Sequence, residues 1–307
     1  MEMTSSTKQS VLITGCSKGG IGDALAQEFY SRGFLVFATA RNLAKIQHLK
    51  DLGCEILALD VTDENSIEHA VQYVTKKNGG VLHYLINNAG MVYQTTILDV
   101  DISAFSQVFA TKVFGVVAMT KAFSPLLIQA KGTICNIGSM STYFFTATNG
   151  AYAGANSALE YVSHQMRIEL KPFGVSVVHV ICGAVQSNLH TNRLLPSMSP
   201  SSLYYPIRHL ISQASNPSFI QENIMSSSQF AETLTSKLTR EKKPAMVYLG
   251  SGLWVAYLMS FMAWCAGWLV GVRFWDLVSE GPMGMKALKG IVEREEREKE
   301  KEGKKLV

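Results

Sequence analysis

The chain has 307 residues, 47% apolar and 17% charged, enough for one large α/β domain with an appendage and too apolar for disorder to be its main theme. Its net charge of +4 does not point to nucleic acid, because eight of the 28 basic residues lie after Met285, interleaved with six glutamates, rather than along one face. Cys16, Cys54, Cys135, Cys182 and Cys265 are scattered and form no CxxC pair, so neither a disulfide framework nor a metal site is expected and a reducing compartment fits best.

In chain order, Met1 to Ser10 is polar, so no cleavable signal is expected there. Short β-branched runs then alternate with longer helical patterns. Strands are expected at Ser10 to Thr14, Leu35 to Ala40, Ile56 to Val61, Tyr84 to Asn88, Thr133 to Ile137 and Ser176 to Cys182. Helices are expected from Gly22, from Asn42 and from Glu64, then over Ser103 to Gln129 and Tyr152 to Lys171. Strands apolar on both faces and separated by helices imply right-handed crossovers, hence one doubly wound α/β domain on a parallel sheet.

From about Thr191 to Gln229 the pattern loosens into Ser, Pro and Asn with scattered aromatics, as in Pro196, Tyr204, Tyr205, Pro206, Pro217 and Phe219. This stretch is either a plain surface loop or a substrate lid, and the lid is favoured because long structureless stretches in compact domains are usually functional. Ala245 to Gly250 reads as a last strand. Between Lys243 and Arg273 there is no charge, and the run holds Trp254, Tyr257, Phe261, Trp264 and Trp268. Ser251 to Val272, 22 residues, is long enough at about 1.5 Å per residue to cross a hydrocarbon layer of about 30 Å. A buried core helix or an oligomer interface is the alternative; a helix apolar all round favours lipid. Lys242, Lys243 and Arg273 flank both ends and give no orientation, and whether the segment spans or turns back near Gly267 and Gly271 stays open. The expected organisation is a dinucleotide-binding and catalytic unit at 10–190, lid and last sheet elements at 191–250, an apolar membrane-associated segment at 251–275 and a charged tail at 276–307, with Glu293 to Lys305 a solvated helix.

The first strand runs into Thr14-Gly15-Cys16-Ser17-Lys18-Gly19-Gly20-Ile21-Gly22. Small residues at a strand-to-helix turn let backbone N–H groups approach a pyrophosphate, whose charge the helix N-terminus favours. The second strand ends in Ala40-Arg41, with no acidic residue to hold a ribose 2′-hydroxyl; Arg41 with Lys18 would instead meet a 2′-phosphate, which points to NADP(H). Asp60, after the third strand, is either an acceptor for the adenine edge or a helix-capping aspartate.

With Asn87-Asn88-Ala89-Gly90 after the fourth strand, Ser139 at the end of the fifth and Tyr152 thirteen residues later, the stretch from Ser10 to Gly250 resembles the short-chain dehydrogenase/reductase family. Within it, the extra glycine of the turn, Ala130-Lys131-Gly132-Thr133-Ile134 and Lys171-Pro172-Phe173-Gly174-Val175 are similar to the fungal 1-acyldihydroxyacetone phosphate reductases. The resemblance implies a Rossmann-type fold and hydride transfer from NADPH to a ketone, with Tyr152 the proton donor and Ser139 bonding the carbonyl oxygen. It implies cofactor contacts at Gly15, Ser17, Lys18, Gly20, Ile21, Gly22, Arg41, Asp60, Asn88, Ala89, Gly90, Tyr152, Asn156, Gly183, Val185 and Ser187. It also implies a homo-oligomer packed through the two helices that carry Lys112 and Tyr152.

Two positions depart from the family pattern. Four residues after the tyrosine, where the family has a lysine that holds ribose and lowers the phenol's pKa, this chain has Asn156, which carries no charge. Where the family has an asparagine in the preceding long helix, this chain has Lys112, on an apolar face with Phe105, Val108, Phe109, Val113 and Val116. Either Lys112 snorkels to solvent, or the two residues have exchanged places and Lys112 supplies the missing charge. His179 and His190 are candidate acid/base groups, although His179, in an apolar strand, reads rather as a satisfied core residue.

Three functions fit these residues. The first is NADPH-dependent reduction of a hydrophobic, lipid-like ketone by a membrane-associated enzyme whose catalytic part is cytoplasmic, at an endoplasmic-reticulum or lipid-droplet surface. The second keeps the chemistry and takes a polyketide or terpenoid ketone of secondary metabolism. The third is an NADPH-binding membrane protein with little or no reductase activity.

Overall fold

The computed structural model describes residues 8–143, 145–188, 198–215, 224–253 and 285–305. Among the described residues, seven strands form one parallel sheet in the order β3-β2-β1-β4-β5-β6-β7. They are β1 (Ser10–Ile13), β2 (Leu35–Ala40), β3 (Glu55–Ala58), β4 (Tyr84–Asn87), β5 (Thr133–Ile137), β6 (Ser176–Cys182) and β7 (Met246–Leu249). The order reverses between β1 and β4, and at such a switch point the two following loops diverge and open a crevice at the carboxyl ends of the strands.

Side chains of a strand alternate between faces, so both faces of these apolar strands need helices. On one face Val11, Ile13, Val36 and Ala38 pack with Leu25 and Phe29 of α1 (Ile21–Ser31) and with Phe230 and Leu234 of the helix Ser227–Leu238. On the other, Leu12, Phe37, Leu85 and Ile134 pack with Ile67 and Val74 of α3 (Glu64–Asn78), Phe123 of α5 (Gly115–Ala130) and Leu159 of α6 (Gly150–Leu170). Burying a side chain such as Phe29 or Phe123 completely is worth roughly 1.5–3 kcal/mol.

The expected strands at 35–40, 133–137 and 176–182 and the helix from Glu64 stand where the sequence puts them. Asn42 is a cap rather than a helical residue: its side chain accepts from Ala44 N in a 3-10 turn that leads into α2 (Gln47–Leu52). The single helix expected over 103–129 is three pieces, α4 (Ile102–Phe109), a π-helical stretch at Ala110–Phe114, and α5. Asp101 starts α4 by accepting from Ser103 N and Ala104 N. Ile102–Ala130 is long and apolar enough to cross a membrane by composition, yet Val116, Met119, Phe123 and Leu127 lie in the core beside the sheet.

The loosened region holds order the sequence reading left out. A 3-10 turn at Tyr205–Ile207 leads into α7 (Arg208–Ser215), and α8 (Ser227–Leu238) opens on a capping box in which Ser226 and Gln229 exchange hydrogen bonds. After β7 the chain returns to the mouth of the sheet, where Ser251 pairs antiparallel with Ala184. The apolar segment expected at 251–275 falls, from residue 254 on, outside the described residues, as does His190. The charged tail is helical from further back than Glu293: α9 spans Met285–Lys305 and packs against Tyr205–Ile207.

Candidate active site

The loop after β1 and the loop after β4 are locked together at the switch point. Thr14 Oγ1 accepts from Asn88 N and Ala89 N, both at 3.0 Å, while Asn88 Nδ2 donates to Thr14 O at 2.9 Å and Gly15 O at 3.1 Å. Two glycines make this possible. A Cβ on Gly22 would meet Asn88 Nδ2 and Gly15 O, each at 2.6 Å, and one on Gly15, at φ +74°, would meet Ala89 Cα at 2.9 Å. Gly90 stands beside Lys112 on the same side of the crevice.

The rest of the glycine turn is held from below. Gly20 N donates to Ser17 O at 3.1 Å, Lys18 N to Lys45 O at 3.0 Å, and Gly19 N to Asp23 Oδ2 at 2.8 Å. Asn188, beyond β6, donates from Nδ2 to Lys18 O at 2.9 Å, so the chain that follows the sheet closes onto this turn. Asp23 and Asn188 were not singled out in the sequence; an acidic residue in the first turn of α1 was the available signal for Asp23. Ile21 starts α1 with its side chain partly in the core.

Lys18 and Arg41 are exposed at the rim of this cradle. Asp60 is pushed up by burial, but the bonds from Thr62 N (2.9 Å) and Thr62 Oγ1 (2.7 Å), with the charge of Arg41, outweigh this and hold it below the usual carboxylate range. The helix cap is Asp63, whose side chain accepts from Asn65 N, so Asp60 shapes the turn between β3 and α3 rather than capping it. The cradle that a Cβ would fill, with two exposed cations and no carboxylate at the tip of β2, fits a dinucleotide with a 2′-phosphate.

Across the crevice, Ser139 follows Gly138, whose N–H donates to Val180 O at 2.8 Å, and its Oγ accepts from Ser141 N at 3.2 Å. Tyr152 lies in the first turn of α6, partly buried, and the Ser139 side chain is near enough to pull its phenol down. Burial pushes that phenol up to about 12, against the lowering pull of Ser139 and Asn156. Asn156 is fully buried; its Nδ2 donates back to Tyr152 O at 2.8 Å, and its Oδ1 has no partner.

Lys112 sits in the π-helical stretch, 5% exposed, so it does not reach solvent. Its Nζ donates to Ile137 O at 2.6 Å, two residues before Ser139, and burial pushes its pKa down to about 8. A π-turn widens the helix locally and re-aims one side chain, here the lysine, toward the carboxyl end of β5. Cys182, at the end of β6, is close enough to feel the charge of Lys112 and to act on Tyr152.

Beyond β6, a Cβ on Gly183 would meet Ser251 O at 2.5 Å, so only glycine lets the two returning chains touch. Val185 is buried and bridges to Met225, and Ser187 lies just before the undescribed 189–197. Under the site runs a buried polar chain absent from the sequence reading: Asn87 Nδ2 donates to Asn136 Oδ1 (2.8 Å), Asn136 Nδ2 to Ser163 Oγ (2.9 Å), and Ser163 Oγ meets His179 Nδ1 (3.1 Å). His179 is therefore only half satisfied, its Nε2 being buried without a partner against Gly138, and burial pushes its pKa down to about 3.

The family model for short chain dehydrogenase matches residues 9–195. The chain is 43% identical over 232 residues to an NADPH-dependent 1-acyldihydroxyacetone phosphate reductase of Schizosaccharomyces pombe, covering 74% of this chain and 77% of that one. It is 42% identical over 258 residues to the short-chain dehydrogenase ptmH of Penicillium ochrochloron, covering 82% and 93%. Among solved structures, NADPH-bound carbonyl reductase from chicken fatty liver is similar with a TM-score of 0.56 at 26% identity, over 62% of this chain and 84% of that one.

Proposed function

The chain belongs to the short-chain dehydrogenase/reductase family and takes NADP(H), and from that premise we propose that it reduces a ketone on a hydrophobic, lipid-like substrate, in the manner of a 1-acyldihydroxyacetone phosphate reductase. The observation that carries this is that Ser139, just after β5, lies near enough to Tyr152 in the first turn of α6 to pull its phenol down, at the same carboxyl edge of the sheet as the glycine cradle. The cofactor would be held by Gly15, Ser17, Lys18, Gly20, Ile21, Gly22, Arg41, Asp60, Asn88, Ala89 and Gly90 on one side and by Tyr152, Asn156, Gly183, Val185 and Ser187 on the other. NADPH supplies the hydride.

The chain's own groups supply the proton and its control. Ser139 Oγ hydrogen-bonds the ketone oxygen and keeps it against the Tyr152 phenol, which gives up its proton as the oxygen becomes an alkoxide. A phenol held near 12 makes a stable proton store and a poor phenolate, so a nearby cation is needed to stabilise the anion left behind. Asn156 has no charge to give. We assign that role to Lys112, a buried cation whose Nζ bonds Ile137 O two residues before Ser139, and leave Asn156 to bond ribose with its unpartnered Oδ1.

Residues 251–272, uncharged in sequence, would hold the enzyme on a membrane or lipid-droplet surface with the catalytic part on the cytoplasmic side. Exposed Phe114, Val117, Tyr161 and Ile168 on the helices that carry Lys112 and Tyr152 would pack a second copy. Similarity to a group of fungal short-chain dehydrogenases keeps a polyketide or terpenoid ketone as the second reading. Purified protein with NADPH, offered 1-acyldihydroxyacetone phosphate beside a set of polycyclic ketones, separates them by which substrate consumes the reduced cofactor. Binding of NADPH with no turnover on either set would favour a cofactor-binding protein without reductase activity.

A further inference from the structure

Four large apolar side chains stand out from the carboxyl edge of the sheet. Ile97, Leu98, Ile102 and Leu203 are 61%, 65%, 69% and 72% exposed, far more than core packing or a solvated turn calls for. They belong to two chain segments tied into one rim. Ile97 and Leu98 lie in the 3-10 turn Ile97–Asp99, and Ser202, the neighbour of Leu203, donates to Asp99 Oδ2 at 2.7 Å, an oxygen that also accepts from Thr96. Ile102 begins α4 three residues after Asp99. The rim stands over the catalytic helix: Thr95 N donates to Thr148 O at 3.0 Å, and a Cβ on Gly150, two residues before Tyr152, would touch Ile97 Cδ1 at 3.3 Å.

The same edge is where the uncharged stretch of the chain leaves the fold and where the chain comes back. Ser251 pairs with Ala184 beside the crevice immediately before residues 254–272, which carry no charge. When the chain is next described, as α9, it packs against Tyr205–Ile207, directly after Leu203. Both ends of residues 254–284 are thus tethered to the rim side of the domain, and Arg208, stacked over the Tyr205 ring at 4.1 Å, gives this side an aromatic and a cation of the kind that settle at a bilayer surface.

We propose that Ile97, Leu98, Ile102 and Leu203 form a rim that inserts into the acyl layer of a phospholipid surface, so that the mouth of the crevice opens into lipid and a ketone on an acyl chain enters without crossing water. Insertion of the rim rests on the membrane association proposed above; only the entry of the ketone rests on the reductase activity. Each such side chain moved from water into hydrocarbon favours the docked state by about tenfold or more, so four of them set the orientation of the domain as well as its affinity.

The test uses the full chain with Cys265→Ser, in which the remaining cysteines are buried, carrying a single polarity-sensitive fluorophore on Leu98→Cys or Leu203→Cys. Exposed Lys76→Cys, near the end of α3 at the opposite edge of the sheet, is the control. With phosphatidylcholine vesicles, emission at 98 and 203 should shift to the blue and be lost when the lipid carries a nitroxide near its headgroup, while emission at 76 should not change. Protein that floats with the vesicles while 98 and 203 stay unquenched would overturn the rim alone; protein that does not float would overturn the membrane reading beneath it. Labels already shifted without lipid would mean that the chain's own apolar segment covers the rim, and a shift that grows with protein concentration would mean a second copy does; either overturns the proposal.

Discussion

Replacing Lys112 with Met removes a buried ammonium while nearly keeping the shape of its stem. Burial brings this lysine from an ordinary 10.5 to about 8, so holding it charged at neutral pH costs about 3 kcal/mol, which the variant no longer bears. The variant also leaves Ile137 O without its 2.6 Å donor, at about 1–3 kcal/mol. The two effects nearly cancel, and the thermal midpoint should stay level or rise slightly. Activity should not. Burial already holds the phenol at about 12, and with the cation gone its anion loses the stabilisation proposed above, so the general-acid contribution of about 10²- to 10⁴-fold should be lost from kcat while NADPH affinity, read by nucleotide fluorescence, is largely kept. In the wild type, kcat should fall as pH rises through about 8 and Lys112 loses its proton. Stability should move the other way, rising between about 8 and 10.5, because the unfolded chain keeps a proton that the folded chain has shed. A Lys112→Met protein that still turns over, or a wild type with no loss of kcat above pH 8, would refute the reasoning.

Gly22→Ala should abolish NADPH binding and cost about 1–3 kcal/mol, since its Cβ has Asn88 Nδ2 and the Gly15 carbonyl at 2.6 Å; titration calorimetry and thermal melts check both. Arg41→Ala should weaken NADPH by about tenfold or more and leave NADH almost unchanged, measured as paired dissociation constants. Asn136→Leu breaks two buried bonds and leaves the Asn87 amide without its acceptor, so it should destabilise by roughly 1–3 kcal/mol in urea unfolding. Because His179 is kept neutral down to about 3, stability should fall as pH drops from about 6.5 toward 3, where the unfolded chain gains a proton the folded chain refuses; His179→Gln should flatten that limb.

The strands and the glycine turn were legible because they depend on local pattern: apolar runs of strand length, and small residues where a strand meets a helix. The capping box at Ser226 was hidden inside Met225-Ser226-Ser227-Ser228-Gln229, where a run of serines looks like loop, although serine followed three residues later by glutamine is also a helix start. The π-turn at Ala110–Phe114 has no local signature, since its extra residue is accommodated by packing of the helix on β4 and α6. Lys112 on an apolar stripe was readable, but its hydrogen bond to Ile137 O depends on that turn and was not. The polar chain from Asn87 to His179 left a trace in the sequence, polar residues inside otherwise apolar strands. Its pairing needed the register that sets Asn87 opposite Asn136 and Asn136 opposite His179.

If Lys112 and Asn156 have exchanged roles, undoing the exchange is the most direct measurement. Lys112→Asn alone should lose turnover, Asn156→Lys alone should crowd two ammonium groups into one buried site, and the double variant should regain NADPH-dependent ketone reduction well above either single change. A double variant no more active than Lys112→Asn, in protein that folds and binds NADPH, would contradict it.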